Sequence, residues 1–156
     1  MVGEGTSPAQ SGRRNMDNVF DRLSPEAGRA LFFARGAVSK HGGHELAAEH
    51  VLLGILAVAP ATIQRFANAE WTPQRLEQTL IQGVQSVDKV PESVDIGFSV
   101  GTQQVLARAA EAARRKGSMT IDLQHLLLGL VDDHGAAGEL LRRAEVTAAK
   151  INESLR

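Results

Sequence analysis

The apolar positions after residue 24 follow helical spacing. Ser24-Pro25-Glu26 is a helix start, because a Ser hydroxyl caps free N–H groups and Pro suits the first turn. The steps of three and four residues that follow predict a first helix that ends near Gly42-Gly43. Its apolar stripe is made mainly of small side chains, which favour close helix packing, and comprises Ala27, Ala30, Leu31, Ala34, Ala37 and Val38.

Three more helices are predicted before residue 85. The aliphatic run Glu49-His50-Val51-Leu52-Leu53-Gly54-Ile55-Leu56 predicts a second, mostly buried helix. A short helix is expected near residues 60–68, and Thr72-Pro73 caps a fourth helix over roughly 72–84. Together these elements form a four-helix unit.

This unit occurs twice. The run from residue 49 returns 75 positions later, without a gap, as Gln124-His125-Leu126-Leu127-Leu128-Gly129-Leu130-Val131. The same shift superposes Ser24 on Ser99 and Gly42 on Gly117, and a repeat of this length constrains the fold more than any single motif. The second apolar stripe is Thr102, Val105, Leu106, Ala109, Ala112 and Ala113. Short helices are expected near 135–143 and, capped by Thr147, over 147–155.

The sequence therefore predicts an all-α fold of eight helices, four in each repeat. We assign repeat one to 20–84 and repeat two to 99–156, within a domain over 19–156. Residues 85–98 carry Pro91, Gly97 and aperiodic charges, which is typical of a linker. Residues 1–18 have almost no large apolar side chains, so we expect a disordered N-terminal extension.

Composition narrows the functional classes. The 17 Lys and Arg residues nearly balance the 18 Asp and Glu residues, so no overall field favours nucleic acid or an anionic membrane. The absence of Cys excludes disulfides and thiolate chemistry, which suits a reducing compartment. No apolar run approaches the roughly 18 residues of a membrane span. We expect a soluble, cytoplasmic monomer.

Both copies closely resemble the Clp N-terminal domain, also called the Clp repeat. Each reads Ser, an Ala-rich amphipathic stretch, Gly and then Glu/Gln-His-aliphatic-Leu-Leu-Gly. The segment Met16-Asp17-Asn18-Val19-Phe20-Asp21-Arg22-Leu23-Ser24 is similar to the opening of the family, so residues 1–15 are an extension. Two features depart from the family pattern. The Thr before the Glu-His pair is Ala48 and Leu123, and the Glu becomes Gln124 in the second copy.

The resemblance implies repeats related by a pseudo-twofold axis and a non-enzymatic protein-binding function without a cofactor. In the family, this domain precedes AAA+ unfoldase modules and receives substrates and adaptors. The chain lacks the motif Gly-x-x-x-x-Gly-Lys-Ser/Thr, so it cannot hydrolyse ATP by the family's mechanism. Its end at Arg156 suggests a free-standing recognition domain or the front end of an unfoldase. An alternative is a domain that senses a small molecule or peptide in a cleft between the copies.

The resemblance also implies candidate site residues, because ClpC-type members bind phosphoarginine. A guanidinium requires a carboxylate, and its phosphate requires hydroxyl and N–H donors at a helix N-terminus. The matching positions are Ser24 with Glu49, and Ser99 with Gln124. Only the first pair keeps the carboxylate, so we expect one weakened or single-sided site. Without any ligand, Ser24 is explained as a cap and Glu49 as a helix-start acid.

Two enzyme hypotheses have weaker support. Gly97-Phe98-Ser99-Val100-Gly101 matches the nucleophile-elbow pattern of Ser hydrolases, but an all-helical chain has no strand to hold an elbow. Alignment with Ser24 favours a helix cap. His44-Glu45 resembles the start of the zinc motif His-Glu-x-x-His, but residue 48 is Ala, so we expect no metal site there. We interpret His50 as structural because it recurs as His125.

Two surface features remain. Phe33 lies about 200° around the helix from Leu31, so it points away from the core stripe. Its counterpart is Arg108, which favours a partner-contacting surface at Phe33, with packing against residues 60–68 as the equal alternative. The basic face of the first helix of repeat two is interpreted as a solvated surface rather than a phosphate site, and comprises Arg108, Arg114, Arg115 and Lys116.

Overall fold

The computed structural model describes residues 18–84 and 96–155, which form an all-α fold. A helical segment at 18–22 precedes eight helices, so the predicted eight helices are confirmed with one short segment in addition. The helices are α1 Pro25–His41, α2 Ala48–Val58, α3 Pro60–Gln64, α4 Pro73–Val84, α5 Val100–Arg115, α6 Leu123–Val131, α7 Ala136–Arg143 and α8 Ala148–Ser154. The predictions for the extension, and for residues 85–95 of the linker, lie outside the described residues. None of the helices in the described ranges is long and apolar enough to cross a membrane.

The predicted caps at the starts of α4 and α8 are confirmed. Thr72 Oγ1 accepts a hydrogen bond from the N–H of Arg75 at 3.2 Å, and Thr147 Oγ1 accepts one from Lys150 at 3.2 Å. Both apolar stripes face the core, with Ala112 half-buried at the edge of the second. The short helix α3 ends at Gln64, four residues before the predicted end.

The helices α1 and α2 run antiparallel and touch through their backbones. The ring of His50, near the start of α2, bonds to Gly42 just beyond the end of α1. Further along α2, a Cβ atom added to Gly54 would overlap the carbonyl oxygen of Ala30, near the start of α1. Repeat two has the same arrangement between α5 and α6, with Gly129 against Val105.

The two repeats exchange short segments before their first helices. The N–H of Ser24 donates to the carbonyl of Ile121 at 3.0 Å, and the N–H of Ser99 donates to the carbonyl of Leu46 at 3.1 Å. These two bonds are equivalent under the shift of 75 residues, and so are the isolated bridges Leu23↔Ile121 and Leu46↔Phe98. Each repeat therefore gives the other the same contact, as the expected pseudo-twofold axis requires.

The repeats also meet at their C-terminal halves. The N–H of Asn68 donates to the carbonyl of Ala144 at 2.7 Å, and its side-chain amide bonds to Glu145. Lys150 Nζ donates to the carbonyl of Phe66 at 3.3 Å. One hydrophobic core runs through both repeats, and its fully buried side chains include Leu52, Ile55, Leu76, Leu106, Leu127, Leu141 and Ile151.

Candidate functional site

Both candidate serines cap helices. Ser24 Oγ accepts from the N–H of Ala27, and Ser99 Oγ accepts from the N–H of Thr102, each at 3.1 Å. Ser99 Oγ also donates to Thr102 Oγ1 at 3.0 Å, and that hydroxyl donates to the carbonyl of Leu46 at 2.7 Å. The predicted capping role of Ser99 is therefore confirmed. Its hydroxyl proton is used within the fold and does not face a histidine.

Ser24 and Glu49 lie at opposite ends of the antiparallel α1–α2 pair. Ser24 precedes the helix contact at Ala30 by six residues, and Glu49 precedes the facing contact at Gly54 by five. At about 1.5 Å per residue, the two are displaced in opposite directions and lie roughly 16 Å apart along the helices. Within repeat one, Ser24 and Glu49 therefore lie toward opposite ends of the α1–α2 pair. In repeat two, the same geometry separates Ser99 from Gln124.

Because the repeats exchange segments, the backbone N–H of each candidate serine bonds to the other repeat. Leu46, which accepts the N–H of Ser99, precedes Glu49 by three residues, so Ser99 and Glu49 lie in one region formed by both repeats. By the same symmetry, Ser24 lies beside the segment that leads into Gln124. Each candidate serine thus lies beside the segment that leads into the acidic or amide position of the other repeat.

Asp133 lies between Ser99 and Glu49. Gly101 lies in the first turn of α5. Asp133 Oδ1 is 3.5 Å from the position that a Cβ atom on Gly101 would occupy. The Cβ position of Gly135 lies 3.1 Å from Asp133 Oδ2 and 3.6 Å from Glu49 Oε1. Two carboxylates therefore lie close to one another beside the N-terminus of α5.

Sequence reasoning missed Asp133. It is 7% exposed, and its Oδ2 accepts from the N–H of Gly135 at 3.0 Å and of Gly138 at 3.4 Å, which caps α7. Its counterpart in repeat one is Val58, so the comparison of the two copies did not indicate an acidic residue at this position. An acid two residues before a Gly at a helix start was the available signal.

His50 is locked as a neutral ring. Its Nδ1 accepts from the N–H of Ala47 at 2.9 Å, and Nε2 donates to the carbonyl of Gly42 at 2.7 Å. Burial lowers the pKa of His50 below 6.5, although the bond to Gly42 and the charge of Glu49 act to raise it. Gly43, at φ 135°, has no room for a side chain, since a Cβ would lie 2.7 Å from the His50 ring. The ring therefore supports the loop before α2.

His125 repeats half of this arrangement. Its Nδ1 accepts from the N–H of Asp122 at 2.9 Å, as His50 does from the residue before its own helix. Burial lowers the pKa of His125, Asp122 acts to raise it and Arg22 to lower it. Among the described residues, no group of three His, Asp or Glu side chains is placed to hold a metal ion.

Phe33 lines a groove on repeat one. It is 45% exposed and meets the ring of Phe32, which is 76% exposed, edge to face at 5.8 Å between centroids. The groove has a volume of about 860 Å³, and its apolar lining is Phe32, Phe33, Ala37, Leu53, Ala57 and Ile81. We call this the Phe33 groove. Its lining comes from α1, α2 and α4 and does not include residues 60–68.

The interpretation of the basic face needs one correction, at Arg108. Arg114 and Arg115 are exposed and pair with Glu111, as expected for a solvated face. Arg108 is half-buried, and its guanidinium donates to the carbonyl of Gly129 from Nε at 3.1 Å and from Nη2 at 2.8 Å. Arg108 therefore binds near the C-terminal end of α6, and its counterpart under the shift of 75 residues is Phe33.

A second cavity, of about 630 Å³, opens between the repeats. We call it the inter-repeat cleft. Its apolar lining includes Leu80 and Val84 from α4 and Leu140 from α7. Its charged side chains are Glu45, Glu49, Glu139 and Arg143.

Comparison with known proteins places this geometry in a family. The model of the Clp repeat (R) N-terminal domain matches residues 22–144. The chaperone protein ClpC3, chloroplastic, of Oryza sativa subsp. japonica is 27% identical over 159 residues, which cover 97% of this chain and 17% of the relative. The chaperone protein ClpD, chloroplastic, of Arabidopsis thaliana is 29% identical over 137 residues, which cover 80% of this chain and 14% of the relative. The chain thus spans 14% to 17% of the length of these two relatives.

Solved structures share the fold. The N-terminal domain of ClpD from Arabidopsis thaliana superposes with a TM-score of 0.67 at 23% identity, over 88% of this chain and 94% of that chain. The N-terminal domain of the ClpV1 ATPase from E. coli EAEC superposes with a TM-score of 0.72 at 21% identity, over 92% and 89%. These likenesses show the all-α fold of two repeats.

Proposed function

Since the chain belongs to the Clp repeat (R) N-terminal domain family, we propose that it is a non-enzymatic recognition domain that binds client or adaptor proteins for a Clp AAA+ unfoldase. The homologous Clp N-terminal domains are protein-interaction domains of Clp unfoldases. The domain acts in the cytoplasm as a monomer, either delivering clients to the unfoldase or competing with the unfoldase's own N-terminal domain.

The observation that carries this proposal is the exposed aromatic pair of the Phe33 groove. Two adjacent Phe rings at 76% and 45% exposure form an apolar surface without a covering element from the described chain. Surfaces of this kind mark protein-interaction sites. The hydroxyl of Ser99, on which a Ser hydrolase would depend, is committed to hydrogen bonds within the fold.

Affinity purification with the native chain and the Phe33→Ala variant tests this proposal. Recovery of Clp unfoldase subunits or client proteins by the native chain, and loss of both with Phe33→Ala, is the expected result. The matched control is Phe20→Ala, because Phe20 is 38% exposed and lies outside the Phe33 groove. Equal recovery by all three proteins would remove the groove from the proposal.

A client arginine is the candidate ligand of the region formed by Ser99 and Glu49. Glu49 makes no ion pair within the described chain and can receive a guanidinium. Phosphorylation of that arginine adds less affinity here than it would at a helix N-terminus without a neighbouring carboxylate. The reason is that the carboxylate of Asp133 already lies beside the first turn of α5. The equivalent region at Ser24 has the neutral Gln124 and binds more weakly.

The two regions can be compared with one phosphoarginine-bearing peptide. Glu49→Gln gives repeat one the neutral group of repeat two, and we expect it to weaken binding by about tenfold, the cost of one charge-assisted contact. Gln124→Glu makes the reverse change and is expected to strengthen binding. No effect from either variant would contradict arginine recognition and leave the Phe33 groove proposal standing.

A further inference from the structure

The inter-repeat cleft combines an apolar floor with an uneven distribution of charge. Leu80 and Leu140 are almost fully buried beneath the cleft, at 4% exposure each. Three carboxylates line the same cavity, on Glu45 in the loop before α2, Glu49 at the start of α2 and Glu139 on α7. Its volume of about 630 Å³ lies within the range of about 300–1,000 Å³ that is usual for ligand sites.

Arg143 also lines the cleft, and its guanidinium lies against an aromatic ring rather than on one of these carboxylates. Arg143 has its guanidinium carbon 5.1 Å from the centroid of the Trp71 ring, which also holds Arg75 at 3.9 Å. Within the described residues, Arg143 forms no ion pair with the carboxylates of the cleft. The cleft therefore keeps an excess of negative charge beside apolar surface.

We propose that the inter-repeat cleft binds a basic, amphipathic segment of a client protein, in which a Lys or Arg side chain neighbours an apolar one. The apolar side chain covers Leu80, Val84 and Leu140, while the cation lies between Glu45 and Glu139. Because the carboxylates attract the cation itself, the segment needs no phosphorylation. This inference rests on the proposed function, and it assigns a ligand class to a cavity separate from the Phe33 groove.

The probe is a fluorescein-labelled peptide that alternates Leu with Lys, and its partner carries Glu in place of Lys. Fluorescence anisotropy with the native chain is expected to show binding of the Lys peptide alone. Binding is expected to weaken when salt is raised to about 1 M, where the Debye length falls to about 3 Å. Equal binding of the Glu peptide would overturn the proposal.

Neutral variants locate the binding. Glu45→Gln with Glu139→Gln is expected to weaken binding of the Lys peptide by about fivefold to tenfold, since each lost charge pair at a partly exposed site has a modest effect. The control is Glu153→Gln, an exposed carboxylate on α8 outside the cleft. An equal loss with Glu153→Gln, or no loss with the double variant, would overturn the proposal.

A third variant moves the affinity in the opposite direction. Arg143→Gln removes the positive charge from the cleft while Arg75 remains stacked on Trp71. It is expected to strengthen binding of the Lys peptide by about twofold to threefold, which damage to the fold cannot do. Unchanged or weaker binding contradicts the charge argument. If the native chain binds the Lys peptide but does not bind the phosphoarginine-bearing peptide, only the arginine site of the proposed function is overturned.

Discussion

The backbone of α2 at Gly54 lies directly against the carbonyl of Ala30, and a Cβ atom at residue 54 would overlap that oxygen. The contact explains why Gly lies within the aliphatic run of α2. The equivalent contact of Gly129 with Val105 shows that both repeats depend on it. Close approach of the helices, rather than turn formation, is the reason for Gly at these positions.

Gly54→Ala is therefore expected to destabilise the fold by about 3 kcal/mol or more, since two helices must separate to admit one methyl group. The matched control is Gly36→Ala, which is also within a helix but has open space at the Cβ position. Higher helix propensity is expected to stabilise that variant by up to about 1 kcal/mol. Urea unfolding measures both, and equal effects would contradict the packing argument.

The sequence predicts the helices and caps well because those depend on local spacing. It could not show which copy each segment contacts. The duplication aligns Ser24 with Ser99 whether the segment before each helix packs on its own repeat or on the other. That choice depends on the long-range bonds to Ile121 and Leu46, which leave no periodic pattern. For this reason, the sequence could not show that Ser24 and Glu49, which both belong to repeat one, lie toward opposite ends of the α1–α2 pair.

Burial of His50 predicts that the free energy of unfolding decreases as the pH falls. Burial lowers its pKa in the folded protein below the ordinary value of 6.5, so the unfolded chain binds the proton more readily. The stabilising contribution is complete above pH 6.5 and is lost as the pH falls through the folded-state pKa. His50→Gln should reduce the drop in unfolding free energy between about pH 7.5 and about pH 5.5.

Phe33→Ala is expected to reduce the free energy of unfolding by about 1 kcal/mol or less, because nearly half of the ring is already in water. Phe66→Ala provides the contrast, since its ring is 5% exposed and its removal should cost about 3–5 kcal/mol. Thermal or urea unfolding compares the two. A loss with Phe33→Ala as large as that with Phe66→Ala would place Phe33 in the core rather than on a binding surface.

Arg108→Ala is expected to destabilise the fold by about 1.5–3 kcal/mol, because it leaves the carbonyl of Gly129 without its charged donor. Arg114→Ala removes an exposed pair with Glu111 and should change stability by less than about 1 kcal/mol. Chemical unfolding of the two variants gives the comparison. Similar values for both would show that the end of α6 does not need Arg108.

The central claim about the candidate site is that arginine recognition depends on a region shared by both repeats, and a double-mutant cycle tests it most directly. The measured quantity is the binding free energy of a phosphoarginine-bearing peptide for Ser99→Ala, Glu49→Gln and the double variant, with Ser24→Ala replacing Ser99→Ala in a control cycle. We predict a coupling of about 0.5–3 kcal/mol between Ser99 and Glu49, and additivity within about 0.5 kcal/mol between Ser24 and Glu49. Coupling to Ser24 with none to Ser99, or additivity in both cycles, would contradict the account.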